Sequence, residues 1–278
     1  MGRPWREEYK GGIYHVISRG NNKEYIFKES IDKGYFIKQI KETVEGMGYL
    51  VYGFVLMDNH YHIIIQTLDK KLQGIMHQIN NKYSKYFNSK YERVGHVFQG
   101  RYKAILVQDE RYLIGLLRYV HQNPVGAHIC KTVEEYKWSS DIFYRKSMKG
   151  FVNIDTVLDM LDDNRKEANQ KYKELMLEKA EEDYEKVKVI GDEAYQIMCS
   201  TKKKSIERKR LDEILIDTGI SMADYALVKA GSRKRNSTAY KVEYARAALG
   251  LKYTNKEIGE NIKATESAIK ELIIKYGM

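Results

Sequence analysis

The chain has 278 residues, with 48 Lys and Arg against 38 Asp and Glu, a net charge of +10 and a pI near 9.2. That length holds one large domain or two, and 43% hydrophobic with 31% charged residues and a mean hydropathy of -0.58 exclude a disordered or fibrous protein. No apolar run approaches the ~18 residues of a membrane span, the two cysteines are too few for a disulfide framework, and the first residues, MGRPWREEYKGG, lack the apolar stretch of a signal peptide, so a cytoplasmic setting is expected.

In chain order, GIYHVIS (12–18) reads as a strand, followed by the loop RGNNKEYIF. A cap at Ser30 then starts a helix with Ile37, Ile40 and Val44 on its apolar side. YLVYGFVLM (49–57) and HYHIIIQT (60–67), joined by Asp58-Asn59, read as a hairpin. Residues 70–89 form a second helix, with Tyr83 and Phe87 expected in the core. GHVFQGRYKAILV (95–107) supplies one or two strands, and DERYLIGLLRYVHQN (109–123) a helix stopped by Pro124. The order β-α-β-β-α-β plus a helix predicts an α+β, ferredoxin-like antiparallel sheet with helices on one face.

Charge divides the chain further. Residues 1–150 carry 24 Lys and Arg against 15 Asp and Glu, residues 151–190 carry 7 against 11, and residues 191–278 carry 17 against 12. We expect one basic domain in 1–150, an acidic helical connector with a solvated face in 151–190, and a basic helical domain in 191–278. The basic excess and the 23 tyrosines against 7 phenylalanines suit a polyanion, because cations neutralise phosphates and aromatic faces stack on bases. A lysine- and tyrosine-rich genome accounts for the same composition.

His60 and His62 are i and i+2 on a strand, hence on one face and able to chelate one metal; an exposed pair on a polar face is the alternative. Tyr119 and Asn123 are one helical turn apart. Asn123 offers an amide oxygen to Mg²⁺ or Mn²⁺, and Tyr119 a phenol that could attack a phosphate, although a helical tyrosine more often packs. His121 and Gln122 are auxiliary candidates, as ligands or proton shuttles, or else helix-surface residues. Arg19, Lys23, Arg101, Lys103 and Arg118 are candidate DNA contacts.

DNHYHIIIQT, with YHVISRGNNKEYIF upstream and GHVFQGRYKAILV and LLRYVHQNPVGA downstream, resembles the HUH-type single-tyrosine transposases, most closely the REP-associated (transposase-seventeen-like) branch, over residues 8–130. The resemblance implies that His60 and His62 bind a divalent metal, that Asn123 is a third ligand, and that Tyr119 is the nucleophile forming a 5′-phosphotyrosine. The family continues NPV with Arg-Ala-Gly where this chain has Gly126-Ala127-His128, which puts in doubt a phosphate contact. Single-stranded or hairpin DNA is the implied substrate, Mg²⁺ or Mn²⁺ the implied cofactor, and monomer and homodimer both stay open. A domesticated non-catalytic DNA-binding regulator, a replication initiator or relaxase, and a metal phosphodiesterase using water are the competing readings.

Residues 191–278 read as short helices, with capping-box spacing at Ser221/Asp224 and Thr254/Glu257 and helix stops at Gly219 and Gly231. VEYARAALGLK, NKEIGENI and ATESAIKELIIKY give a helix-turn-helix, the last helix presenting Thr265, Glu266, Ser267 and Lys270. Arg233, Lys234 and Arg235 precede it as further DNA-contact candidates. This region resembles the C-terminal DNA-binding domain of the initiator DnaA, through ARAALGLKYTNKEIGENI, which implies a double-stranded DNA partner; a small helical protein-interaction domain is the alternative.

Overall fold

The computed structural model describes residues 8–179, 183–204, 209–232 and 235–276, and the chain divides into two compact units, Met1–Cys199 and Ser200–Met278. Among the described residues no helix is long and apolar enough to cross a membrane.

The first unit is built on a five-stranded sheet: β1 (Ile13–Arg19), β2 (Tyr49–Leu56), β3 (His60–Thr67), β4 (Lys103–Val107) and β5 (Val189–Ile190), in the order β2-β3-β1-β4-β5. The first four strands pair antiparallel in the ferredoxin-like order, while β5 joins β4 in parallel and makes the sheet mixed. The expected strand over 95–107 is confined to β4, with Phe98 making an isolated bridge to Gly20.

The helices α1 (Ser30–Met47) and α2 (Leu72–Lys90) cover one face. Asp32 starts α1: its Oδ2 accepts the backbone N–H of Glu29 at 2.9 Å and of Lys28 at 3.0 Å. The cap is therefore Glu29, one residue before the expected Ser30. Phe36 and Ile40 of α1 and Ile75, Met76, Ile79, Tyr83 and Phe87 of α2 are buried; Phe36 stacks obliquely on Tyr61 of β3 at 4.7 Å, so the odd residues of β3 face this layer.

The even residues of β3 face a second layer headed by α3 (Leu113–Gly126). Helices thus lie on both faces and not on one, because α3 packs behind the sheet, against β2 and β3. Pro124 does not stop α3, which runs on to Gly126; in the final turn its missing N–H removes at most one ladder bond. Gly53, at a bulge in β2, is what lets α3 come close: a Cβ there would lie 2.5 Å from Leu117 Cδ1.

Residues 138–153 then run along the free edge of β2. Leu56 N–H donates to Trp138, Ser140 N–H to Phe54 and Asn153 N–H to Val51, at 2.8 to 2.9 Å, which satisfies an edge that would otherwise be open to pairing. The segment 151–190, expected as a connector with a solvated face, belongs to this core instead. After the short α4 (Asp141–Arg145), α5 (Asp155–Leu161) and α6 (Arg165–Leu175) bury Val157, Leu158, Ala168 and Tyr172. Its acidic side is solvated, but its apolar positions are spaced to dock.

The second unit is helical, with α8 (Leu211–Asp217), α9 (Met222–Lys229), α10 (Thr238–Gly250), α11 (Asn255–Asn261) and α12 (Glu266–Lys275); the division at Cys199 falls within α7 (Glu193–Lys204). Its own core gathers Ile214, Leu215, Val228, Tyr244, Ala248, Ile258 and Ile269. Ser221 Oγ accepts Asp224 N–H at 3.1 Å and Thr254 Oγ1 accepts Glu257 N–H at 3.2 Å, while Gly219 and Gly231 take φ of 74° and 83° past the helix ends. The turn between α11 and α12 is tight: a Cβ on Gly259 would lie 2.6 Å from the Ala264 carbonyl oxygen.

Candidate active site

Cross-strand register assembles one face of the sheet beneath α3. On β1, Arg19 lies opposite His60 and Ile17 opposite His62 on β3, and Ile17 also lies opposite Lys103 on β4. Directly paired residues share a face, so Arg19, His60, His62 and Lys103 converge, joined by His15 two residues along β1.

His62 is fully buried. Its Nδ1 is 2.9 Å from His15 Nε2, and its Nε2 finds no hydrogen-bond partner among the described residues. His60 Nδ1 lies 2.6 Å from Asn59 Oδ1. Burial holds all three rings neutral: His60 is pushed down to about 4, by burial first and then by Arg19; His15 to about 3, by burial and then Lys103; and His62 well below the usual range, by burial and then by His15 and His60. A neutral imidazole is the form that binds metal.

Tyr119, on α3, is half-buried, with its ring edge-on to His62 at 6.1 Å and to His15 at 6.0 Å between centroids. Its hydroxyl donates to Asp183 Oδ1 at 3.4 Å. Burial, Glu185 and Asp183 together raise its pKa above that of a free phenol. The Asn123 side chain, one turn on, donates from Nδ2 to the Tyr119 carbonyl at 3.3 Å and lies near enough to His60 to oppose the fall in its pKa. The four expected site residues therefore meet at one place, contributed by β3 and α3.

The segment 183–185 was not expected here. Glu185 Oε1 lies 3.4 Å from His62 Nε2, its Oε2 lies 3.7 Å from Arg19 Nη2, and Lys103 Nζ donates to its carbonyl. His60, His62 and Glu185 bring their ligand atoms within 4.8 Å of one another. Tyr184 packs against the Tyr119 ring at 5.4 Å, over Gly115 of α3. In the sequence these residues sit inside an acidic run that reads as solvated, and only the β4–β5 pairing brings them back.

The other candidates separate. His121 is buried away from this cluster: its Nδ1–H donates to Tyr172 Oη at 2.8 Å, and its Nε2 accepts from Ser140 Oγ at 2.6 Å, because Tyr172 in turn donates to Asp141 at 2.7 Å. It is neither a ligand nor a surface residue. Gln122 Nε2 donates to the Met176 carbonyl at 3.0 Å. Arg118 pairs with Glu178 at 2.9 Å; Lys23 and Arg101 are exposed. In the second unit Lys270 is exposed and pairs with Glu266 at 2.8 Å. Arg233 and Lys234 lie outside the described residues, as does the side chain of Arg235.

Residues 8–123 match the family model described as Transposase IS200 like. This part of the chain is similar to the IS200-like transposases. The match encloses His60, His62, Tyr119 and Asn123 and ends before Glu185. The family is one of DNA-cleaving, strand-transferring enzymes. Among solved structures, a REP-associated tyrosine transposase bound to a REP hairpin is similar at 18% identity and a TM-score of 0.44, over 56% of this chain and 90% of that one. A transposase from Deinococcus radiodurans is similar at 12% identity and 0.31, over 44% of this chain and 95% of that one. No curated protein matches the chain.

Proposed function

We propose that this chain is a divalent-metal-dependent DNA transposase that nicks and rejoins single-stranded or hairpin DNA through a 5′-phosphotyrosine on Tyr119. The observation that carries the reading is the edge-on approach of Tyr119 to His62, whose buried Nε2 has no hydrogen-bond partner among the described residues, inside the matched domain.

The residues fit a divalent cation. A buried nitrogen without a partner, a second neutral histidine and a carboxylate within 4.8 Å form a mixed N/O donor set. His60, His62 and Glu185 would hold the ion, with the Asn123 amide oxygen beside them. When bound, such an ion polarises a nonbridging oxygen of the scissile phosphate and orients it.

The chain's own groups then do the rest. Arg19 and Lys103, on the same face, neutralise the phosphates flanking the cut. The Tyr119 oxygen attacks phosphorus in line; the P–O3′ bond breaks, the tyrosine keeps the 5′-phosphate and the leaving oxygen becomes a 3′-hydroxyl. The phenol must lose its proton as it attacks, and Asp183 is the acceptor already hydrogen-bonded to it. Because the phosphoester is retained on Tyr119, a second 3′-hydroxyl can reverse the step and join strands without a nucleotide cofactor.

The helical unit supplies a double-stranded DNA reader, α12 entering the major groove with the exposed Thr265, Glu266, Ser267 and Lys270. A labelled pool of single-stranded and hairpin DNA, incubated with Mg²⁺ or Mn²⁺, tests the enzyme. The expected result is a denaturation-resistant protein–DNA adduct that Tyr119→Phe abolishes. No adduct from the wild type across the pool would overturn the transposase reading, and an adduct from Tyr119→Phe would overturn the nucleophile.

A further inference from the structure

Three histidines occupy the site face, and only two are accounted for by the donor set. The proton of His60 is located by its neighbour: Asn59 Oδ1, 2.6 Å from Nδ1, can only accept. Asn59 is itself turned by its amide nitrogen, 3.5 Å from the Lys23 carbonyl. His60 therefore carries its proton on Nδ1 and a lone pair on Nε2.

His62 has no acceptor-only neighbour at Nδ1. Its partner there is a second imidazole, His15 Nε2 at 2.9 Å, with the two rings stacked at 20° and 5.1 Å. An imidazole can donate or accept, so the pair has two proton arrangements. In one, His15 donates, the proton of His62 sits on Nε2, and the ligand atom is closed. In the other, His62 donates from Nδ1, and Nε2 offers its lone pair toward Glu185 and His60.

We infer that His15 is the positioning residue for His62, accepting its Nδ1–H and so holding Nε2 as a metal-ligating lone pair. The inference rests on the metal reading above. It also explains an otherwise wasteful placement. His15 alternates with Ile13 and Ile17 on a buried strand face, where leucine would fill the volume, and its remaining nitrogen, Nδ1, has no hydrogen-bond partner among the described residues. A ring kept only for packing would not leave a buried polar atom unmatched. Its edge contact with Tyr119 lets the same ring fix the distance between nucleophile and ligand. Outer-shell partners of this kind typically change metal affinity by about 10- to 100-fold when removed.

The test uses the full chain and Mn²⁺ alone, with binding read by the loss of the free-ion electron paramagnetic resonance signal. His15→Leu is expected to weaken binding by about 10- to 100-fold. His15→Gln, whose side-chain oxygen can still accept from Nδ1, is expected to stay within about threefold of wild type. Equal affinity for wild type and His15→Leu, or an equal loss in both variants, overturns the inference. Should His15→Leu not fold, nitrogen-15 spectra of the histidine rings in the Zn²⁺-loaded wild type decide: protons on Nδ1 of both His62 and His15 are expected, and a proton on His15 Nε2 overturns it. Wild type that binds no Mn²⁺, or a His60→Ala, His62→Ala double variant that binds as well as wild type, overturns the metal site itself, a result distinct from failure at His15 alone.

Discussion

Two buried histidines, His62 and His121, serve opposite purposes. His62 keeps a nitrogen unmatched and facing the carboxylates, whereas His121 has both nitrogens matched, by Tyr172 and Ser140. The second arrangement has a measurable consequence for stability. Burial pushes the His121 pKa down to about 4 from 6.5. Between those values the unfolded chain takes up a proton that the folded chain refuses, so the contribution is complete above pH 6.5 and is lost as pH falls toward 4. Up to about 3 kcal/mol is at stake. Trp138 packs against the core of the first unit, so its fluorescence in urea, measured in a Trp5→Phe background, follows that unit. The wild type is expected to lose stability from pH 7 to pH 4.5, and His121→Gln, less stable at pH 7, to lose about 2 kcal/mol less over that interval. Parallel pH slopes in the two proteins would contradict the assignment.

At the scale of elements, the site depends on how closely α3 approaches the sheet. Gly53 sets that distance, since a Cβ there would lie 2.5 Å from Leu117 Cδ1 and 3.3 Å from Ser140 Oγ. Gly53→Ala is expected to destabilise by about 1 to 3 kcal/mol through overpacking, and Leu117→Ala in the same chain to recover part of that loss, as read from urea midpoints. Additive losses in the double variant would show that the two do not collide. The elements themselves were largely legible. Alternation in HYHIIIQT and the 3.6 spacing in 30–47 identify a strand and a helix, and Pro124 was misleading only because a proline in a last turn costs little. The pairing of β1 with β3 follows from the expected ferredoxin-like order, but its register, which brings His15 to His62, was not legible from local pattern. Glu185 was hidden for a related reason: an acidic, helix-forming run gives no sign that its end returns as a strand.

For the whole molecule, the tyrosine excess also acquires a place. Tyr49, Tyr52, Tyr61, Tyr83, Tyr144, Tyr172 and Tyr244 are among the largest fully buried side chains, and their hydroxyls find acceptors, such as Asn80 for Tyr61 and the Tyr52 carbonyl for Tyr144. These tyrosines are a packing choice and not a base-stacking surface. The site, in turn, is not contained in the matched family segment. His60, His62, Tyr119 and Asn123 lie within residues 8–123, while Asp183 and Glu185 arrive with the strand that ends the sheet.

That last strand has a consequence in time. The β2–β3 hairpin closes over a few residues, but β5 pairs with β4 across some 80 positions of chain, Leu106 with Val189 and Val107 with Ile190. Long loops close late, because their entropy is lost before their contacts reward it. In refolding, the histidines and the tyrosine should come together first and the carboxylates last. Pulsed hydrogen exchange can read this order directly: the Gln108 amide, bonded to the Ile190 carbonyl at 2.8 Å, is expected to gain protection after the amides of β3, and simultaneous protection would refute a two-step assembly of the site.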